Sequence, residues 1–265
     1  MTKFGKLLWI GVAVIGIIDL AVFVSHAKSP DKRAAAGAQV LPLKPPATGQ
    51  INVAFVVSEH ANVMDIAGAW EVFSDSMLTS KGKAWHESDG DNDMVMPFNT
   101  YTVSDSLKPV DANGLTIVPN YTFETAPKPQ IIVIPAQAGR SAAQKAWLLA
   151  NSATADVTMS VCTGASMLAK YGLLDGKTAT THHMYAAAMQ KNYPAVHFVS
   201  GTRFVENGKV ATAGGLTSGV DLALHVVERY YGREVAQGAA DYLEYHGELW
   251  KNPDFAQVKA VIAAN

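Results

Sequence analysis

The stretch Asp156-Val-Thr-Met-Ser-Val-Cys162-Thr-Gly-Ala-Ser-Met-Leu-Ala169 sets the tightest limit on how this chain folds. Its pattern predicts a short buried strand, a sharp turn and a helix. Cys162, the only cysteine, sits at the turn, with Ser160 two residues before it and Gly164 two after. A strand that turns at once into a helix leaves little room beside its apex, so the neighbours two positions away have to be small. The apex side chain then projects beyond the carboxyl end of the sheet. The amides of the new helix lie beside it, where they favour a thiolate or a developing oxyanion. The competing reading is a buried core cysteine, since free Cys is among the most buried residue types.

A chain of 265 residues with 49% hydrophobic and 17% charged residues builds a sizeable core, as one large domain or two small ones. The formal net charge of −2 offers no basic excess for a nucleic-acid partner. One cysteine excludes an internal disulfide and a Cys-cluster metal site.

Residues 1–27 read as a membrane anchor or a signal segment. Lys3 and Lys6 precede an apolar run from Leu7 to Val24, broken only by Asp19, and Ser25-His26-Ala27 resembles a small-x-small cleavage site. Either reading places the rest of the chain outside the cytoplasm, with the membrane as a partner if the segment is not cleaved. Residues 28–50 are rich in Ala and Pro and read as an extended tether. The folded domain is expected over 51–265.

Within that domain, apolar runs of strand length alternate with segments of helical spacing. Asn52–Val57, Asn99–Val103, Leu115–Val118, Gln130–Ile134, Lys177–Thr180, Val196–Val199, Arg203–Glu206 and Lys209–Thr212 are expected strands. Expected helices run over Val63–Leu78, Ser141–Ala150, Met184–Lys191, Val220–Tyr231, Arg233–Tyr242 and Pro253–Ala264. Residues 80–97 read as a polar inserted loop. The alternation predicts an α/β fold with a mainly parallel sheet. Active sites in such sheets lie beyond the carboxyl ends of the strands. The loops meeting that condition are Ser58–Asp65, Ala136–Arg140, Cys162–Gly164 and Thr181–His183. Asp65, near the start of a helix, is by itself more simply a dipole partner than a catalyst.

Four blocks in order resemble the ThiJ/PfpI superfamily, over about Val53 to Gly232. They are Asp65-Ile-Ala-Gly68-Ala-Trp-Glu71-Val-Phe73, Ser160-Val-Cys162-Thr-Gly-Ala, Gly172-Leu-Leu-Asp-Gly-Lys-Thr-Ala-Thr-Thr-His182, and Thr212-Ala-Gly-Gly-Leu-Thr-Ser-Gly-Val-Asp221. The nearest branches by pattern are isonitrile hydratases and the amidase-like domains attached to AraC-type regulators. The resemblance implies a flavodoxin-like, glutamine amidotransferase-like three-layer sandwich, with dimerisation common. It implies Cys162 as nucleophile, Asp65 as the acid that hydrogen-bonds it, and His182 as a histidine near the site. Thr163 matches the isonitrile hydratase branch, where proteases and amidases of the superfamily more often carry His. The family's usual Gly-Gly, whose amides line the oxyanion site, is replaced here by Ala136-Gln137. Gln137, Gly139, Thr163 and Thr217 are the expected substrate and oxyanion residues.

The leading expectation is a cysteine-dependent enzyme that adds Cys162 to a small electrophile and completes a hydration or hydrolysis, isonitrile hydratase-like or amidase-like. A protonated Asp65 would donate to the thiolate. The alternative is a redox-sensing or ligand-binding domain built on the same pocket. No cofactor is expected. No metal is expected either, because His182 and His183 lie adjacent on a strand and so point to opposite faces. About 30 residues follow Tyr231, too few for the DNA-binding half of a regulator, so a transcription factor is not expected.

Overall fold

The computed structural model describes residues 42–251 together with 259–260, all within the unit Ala35–Asn265. Its organising element is a seven-stranded sheet in the order β12-β13-β9-β8-β1-β4-β7. The strands are β1 (Ile51–Val56), β4 (Phe98–Ser104), β7 (Tyr121–Thr122), β8 (Ile131–Ile134), β9 (Val157–Ser160), β12 (Phe204–Asn207) and β13 (Val210–Ala213). All neighbours pair in parallel except β12 and β13, which form an antiparallel hairpin.

The near-continuous apolar runs are explained by burial on both faces, as parallel strands require. Along β1, Val53 and Phe55 enter one core while Ala54 and Val56 enter the other. Along β8, Ile131 and Val133 take the first face, Ile132 and Ile134 the second. Helices α1 (Val63–Ser74), α5 (Ser218–Tyr231) and α6 (Arg233–Tyr242) cover the first face through Phe73, Leu224 and Ala239. Helices α2 (Ala142–Ser152), α3 (Ala165–Lys170) and α4 (Ala186–Asn192) cover the second through Leu148, Met167 and Met189. Each fully buried Ile, Leu, Met or Phe contributes about 1.5–3 kcal/mol of transfer free energy. The result is the expected three-layer, mainly parallel α/β sandwich.

Smaller pieces decorate this core. The 80–97 insertion is closed by the pair β2 (Leu78–Thr79), just before it, and β3 (Met94–Val95), within it, with two 3-10 turns between them. A second hairpin joins β5 (Val110–Ala112) to β6 (Leu115–Ile117). Strands β10 (Thr178–Thr180) and β11 (His197–Ser200) pair in parallel, and β11 pairs antiparallel with β14 (Lys259–Ala260). The helix expected over 253–264 falls mostly outside the described residues, and its described part is this β14.

Two expectations at the amino-terminal end change. Residues 42–50 have no regular structure, as a tether would, yet Leu43 N–H donates to Arg229 O at 2.7 Å and its side chain packs on the core. The membrane anchor or signal, the membrane partnership and the placement outside the cytoplasm are corrected: among the described residues no helix is long and apolar enough to cross a membrane. The apolar segment that suggested them, 7–24, lies outside the described residues.

The elbow follows β9, an inner strand between β13 and β8. Val161 N–H donates to Ile134 O at 2.9 Å and Cys162 N–H to Gly214 O at 2.7 Å, so the turn is pinned to both neighbouring strand ends. A Cβ at Gly164 would lie 2.2 Å from Ile134 O and 2.9 Å from Pro135 O, both fixed backbone atoms of β8 and its exit. Gly164→Ala is therefore expected to cost about 1–3 kcal/mol or more in urea unfolding. Gly238→Ala in α6, whose Cβ meets nothing within 4 Å, is expected to gain up to about 1 kcal/mol. Equal effects at the two positions would contradict the packing described.

Candidate active site

Cys162 opens a 3-10 turn, Cys162–Gly164, that leads directly into α3, and its φ is +59°. A left-handed backbone at a non-glycine residue costs about 1–2 kcal/mol. It persists here because Ile134, Gly214 and Thr181, whose Oγ1 donates to Cys162 O at 2.9 Å, hold the apex from three sides. Cys162 as a residue is 7% exposed.

Asp65 is fully buried and lies beside this thiol, close enough for each group to shift the other's titration. The helix-cap role open to it is filled by Asn62, whose Oδ1 accepts from Met64 N and Asp65 N at 3.0 and 3.2 Å. The carboxylate is thereby free to face the sheet end. Its Oδ2 accepts from Ala136 N at 3.0 Å and its Oδ1 from Leu216 N at 3.2 Å. Burial pushes Asp65 up to about 6, although these amides and the thiol favour its charged form.

Burial also pushes the Cys162 thiol up, to about 11, with the Asp65 carboxylate as the second cause. The backbone and side chain of Thr163 act on the thiol in the opposite direction. Both shifts have burial as their first cause, and burial disfavours the charged form of each group. Desolvation and a neighbouring negative charge outweigh the donors at the start of the helix.

The structure distributes the other expected residues unevenly. Thr163 is at the sulfur. Gln137 is 9% exposed and turned inward: Ser58 Oγ donates to its Oε1 at 2.7 Å, and its Nε2 donates to Val56 O at 3.0 Å. Gly139 N–H is committed to Ser58 Oγ at 3.0 Å, and a Cβ there would meet Ser58 at 2.5 Å. Thr217 is exposed and accepts from Arg203 Nη2 at 3.0 Å. Among the described residues, no hydrogen bond joins His182 to Cys162 or Asp65. Its Nδ1 accepts from Met184 N at 3.3 Å, and its ring lies so close to Gly215 that a Cβ there would sit 2.2 Å from Cδ2.

The strand has already ended at His182, so the expected opposite orientation of His182 and His183 is not found. A 3-10 turn follows, and the two rings stack with centroids 4.6 Å apart. Among the described residues no group of three or more His, Cys, Asp or Glu side chains is arranged to hold a metal. A cavity of about 790 Å³ lies elsewhere, lined by residues that include Trp85, His86, Glu234 and Asp241, and none of the residues around Cys162 lines it.

Several contributors are backbone groups or braces that residue type did not signal. Leu216 has φ +52°, and its amide holds Asp65. Arg203 pairs with buried Asp221 as well as Thr217, fixing the Gly214–Thr217 loop. Arg140 donates to Gln137 O, Gly139 O and Ser166 Oγ, fixing the Ala136–Arg140 loop. The Gly-Gly at 214–215 was the one visible signal of the first loop.

The electrostatics make a specific prediction. Replacing the carboxylate by a neutral amide, Asp65→Asn, removes one of the causes that raise the thiol. The pH inflection of Cys162 alkylation is expected to fall below that of the wild type, with faster alkylation at mildly alkaline pH. An inflection unchanged or raised would contradict the coupling.

Comparison with known proteins agrees with this architecture. The DJ-1/PfpI family is matched over residues 52–229. An isonitrile hydratase of Pseudomonas putida is 34% identical over 201 residues, 74% of this chain and 78% of that one. The HTH-type transcriptional regulator GbdR of Pseudomonas aeruginosa is 29% identical over 138 residues, 51% of this chain and 37% of the regulator. The crystal structure of a ThiJ/PfpI family protein from Pseudomonas syringae superposes with a TM-score of 0.61 at 27% identity, covering 84% of each chain. The matched span takes in every residue described around Cys162 and leaves out the apolar segment 7–24. The chain belongs to the DJ-1/PfpI family.

Proposed function

We propose that this protein is a cysteine-dependent enzyme that hydrates a small electrophile, an isonitrile being the substrate class the site suits best. The observation that carries this reading is the buried Asp65 carboxylate, held by Ala136 N and Leu216 N beside the thiol of Cys162. A carboxylate near 6 beside a protonated thiol is a general base already next to its proton. The 34% identity to an isonitrile hydratase supports the reaction class.

In this reading Asp65 takes the thiol proton as Sγ bonds to the terminal carbon of the isonitrile. The same carbon then receives the proton, giving a thioimidate. Water adds to that carbon, one of its protons passing through Asp65 to the nitrogen. The carbon–sulfur bond breaks, the thiol recovers its proton, and an N-substituted formamide leaves. One water is consumed and nothing is oxidised or reduced. Asp65 moves the protons, Thr163 holds the sulfur, and His182 acts as packing for the Gly215 turn. Hydrolysis of an amide would use the same pair through a thioester.

The match to a transcriptional regulator supports a second, non-catalytic reading of the same site. A pocket that only binds has no need of a buried base on a thiol, which favours the enzyme. A thiol pushed up to about 11 also speaks against redox sensing, which relies on an accessible thiolate.

The test is formamide production from a panel of isonitriles, with amides and dicarbonyls alongside. Cys162→Ser is expected to abolish turnover with the fold intact, and Asp65→Asn to lower it by about 10²–10⁴-fold. Full activity in Cys162→Ser would end the proposal.

A further inference from the structure

One of the two amides on Asp65 comes from a strained residue. Leu216 N–H donates to Asp65 Oδ1 at 3.2 Å, and Leu216 has φ +52°. A left-handed backbone is unfavourable for a leucine, so this turn needs restraint from outside itself. Arg203, just before β12, supplies it at both ends. Its backbone O accepts from Gly214 N at 2.8 Å, and its Nη2 donates to Thr217 Oγ1 at 3.0 Å. Gly215 and Leu216 lie between these two anchors.

Arg203 is held in turn. Its Nε donates to Oδ2 of Asp221 on α5, a residue 1% exposed. The same Oδ2 accepts from the Tyr245 hydroxyl at 3.0 Å. Tyr245 follows α6 and lies outside the span 52–229 that matches the family. It is fixed by its own N–H, which donates to Ala240 O at 2.8 Å, and by Gly247, where a Cβ would meet the end of its ring at 2.5 Å. A hydrogen-bonded line therefore runs from the segment after α6, through Asp221 and Arg203, to the loop that hands an amide to Asp65.

We propose that Arg203, Asp221 and Tyr245 form a positioning brace that keeps the Leu216 amide on Asp65 and so sets how readily this carboxylate takes a proton. The inference rests on Asp65 being the base of the proposed function. Burial pushes Asp65 up, and the Leu216 amide is one of the groups that act against burial. An amide donor favours the charged carboxylate, so loosening it leaves burial less opposed and Asp65 holds its proton to higher pH.

The other charged groups near Asp65 are committed elsewhere or face it through another element. Cys162 faces it from the elbow, and the His182 ring packs on Gly215. Glu59 and His60, before α1, turn to Asp111 of the β5–β6 hairpin. Arg140 is held by carbonyls of its own loop. Arg203 and Asp221 are a pair of opposite charges, which largely cancel at a distance, so the brace acts through the amide it places.

The test reads Asp65 itself. In the full chain, isotope-labelled at the aspartate carboxyl carbons, the Asp65 NMR signal is identified by its absence from Asp65→Asn and followed against pH. Arg203→Gln is expected to raise its midpoint by about one unit over the wild type, the size of one hydrogen bond to a charged group. Arg203→Lys keeps the charge but loses the planar fork, and is expected to raise it too. Tyr245→Phe removes only a hydroxyl from a half-buried ring, and is expected to shift the midpoint in the same direction by less. The acid limb of kcat/KM for isonitrile hydration is expected to move with the midpoint in each variant.

An unchanged or lowered midpoint in Arg203→Gln would overturn the proposal. So would a rise there with none in Arg203→Lys or Tyr245→Phe, which would mark a through-space effect of charge. A lower thermal midpoint with the Asp65 titration unmoved would make the three residues a support of the fold alone, and would also overturn it. Should Arg203→Gln fail to fold, Tyr245→Phe decides. Absence of isonitrile turnover in the wild type ends the proposed function, while the Asp65 titration still decides the brace.

Discussion

The site depends on one buried carboxylate. Asp65 reaches the sheet end from α1 and is held by an amide from each of two loops, Ala136 N and Leu216 N, beside the thiol of Cys162. Each loop has its own arginine, Arg140 for the first and Arg203 for the second. Burying a carboxylate without partners is costly, and the effective penalty falls only as fixed donors replace water. The strained backbone at Cys162 and Leu216, both at positive φ, belongs to the same arrangement. One residue is twisted to present the thiol and the other to present an amide.

Much of this was legible in the chain. Strands such as Ile131–Ile134 are buried on both faces, so their apolar runs announce a parallel sheet without any partner being known. The elbow was legible because steric exclusion acts through residue size: Gly164 is small because Ile134 O leaves no space for a Cβ. The strand-to-helix turn therefore leaves a mark in sequence that a hydrogen bond between backbone atoms does not.

What stayed hidden was mostly backbone. Leu216 gives no sign in its side chain that its amide holds Asp65, and Gln137 reads as a substrate contact until Ser58 and Val56 are seen to hold it inside. The strand ends before His182, so its ring packs on Gly215 without bonding the thiol. The protonation of the Cys162–Asp65 pair was also out of reach. It depends on how much water burial removes, and spacing along the chain carries no measure of that.

The central claim is that Asp65 works as a base on a protonated thiol, and the pH dependence of kcat/KM for isonitrile hydration tests it most directly. The rate is predicted to rise as pH passes through about 6, where Asp65 loses its proton, and to hold as far as the thiol's own titration near 11. A rate that is highest below 6 and falls as Asp65 ionises would mean that the protonated acid is the working form, and would contradict that claim.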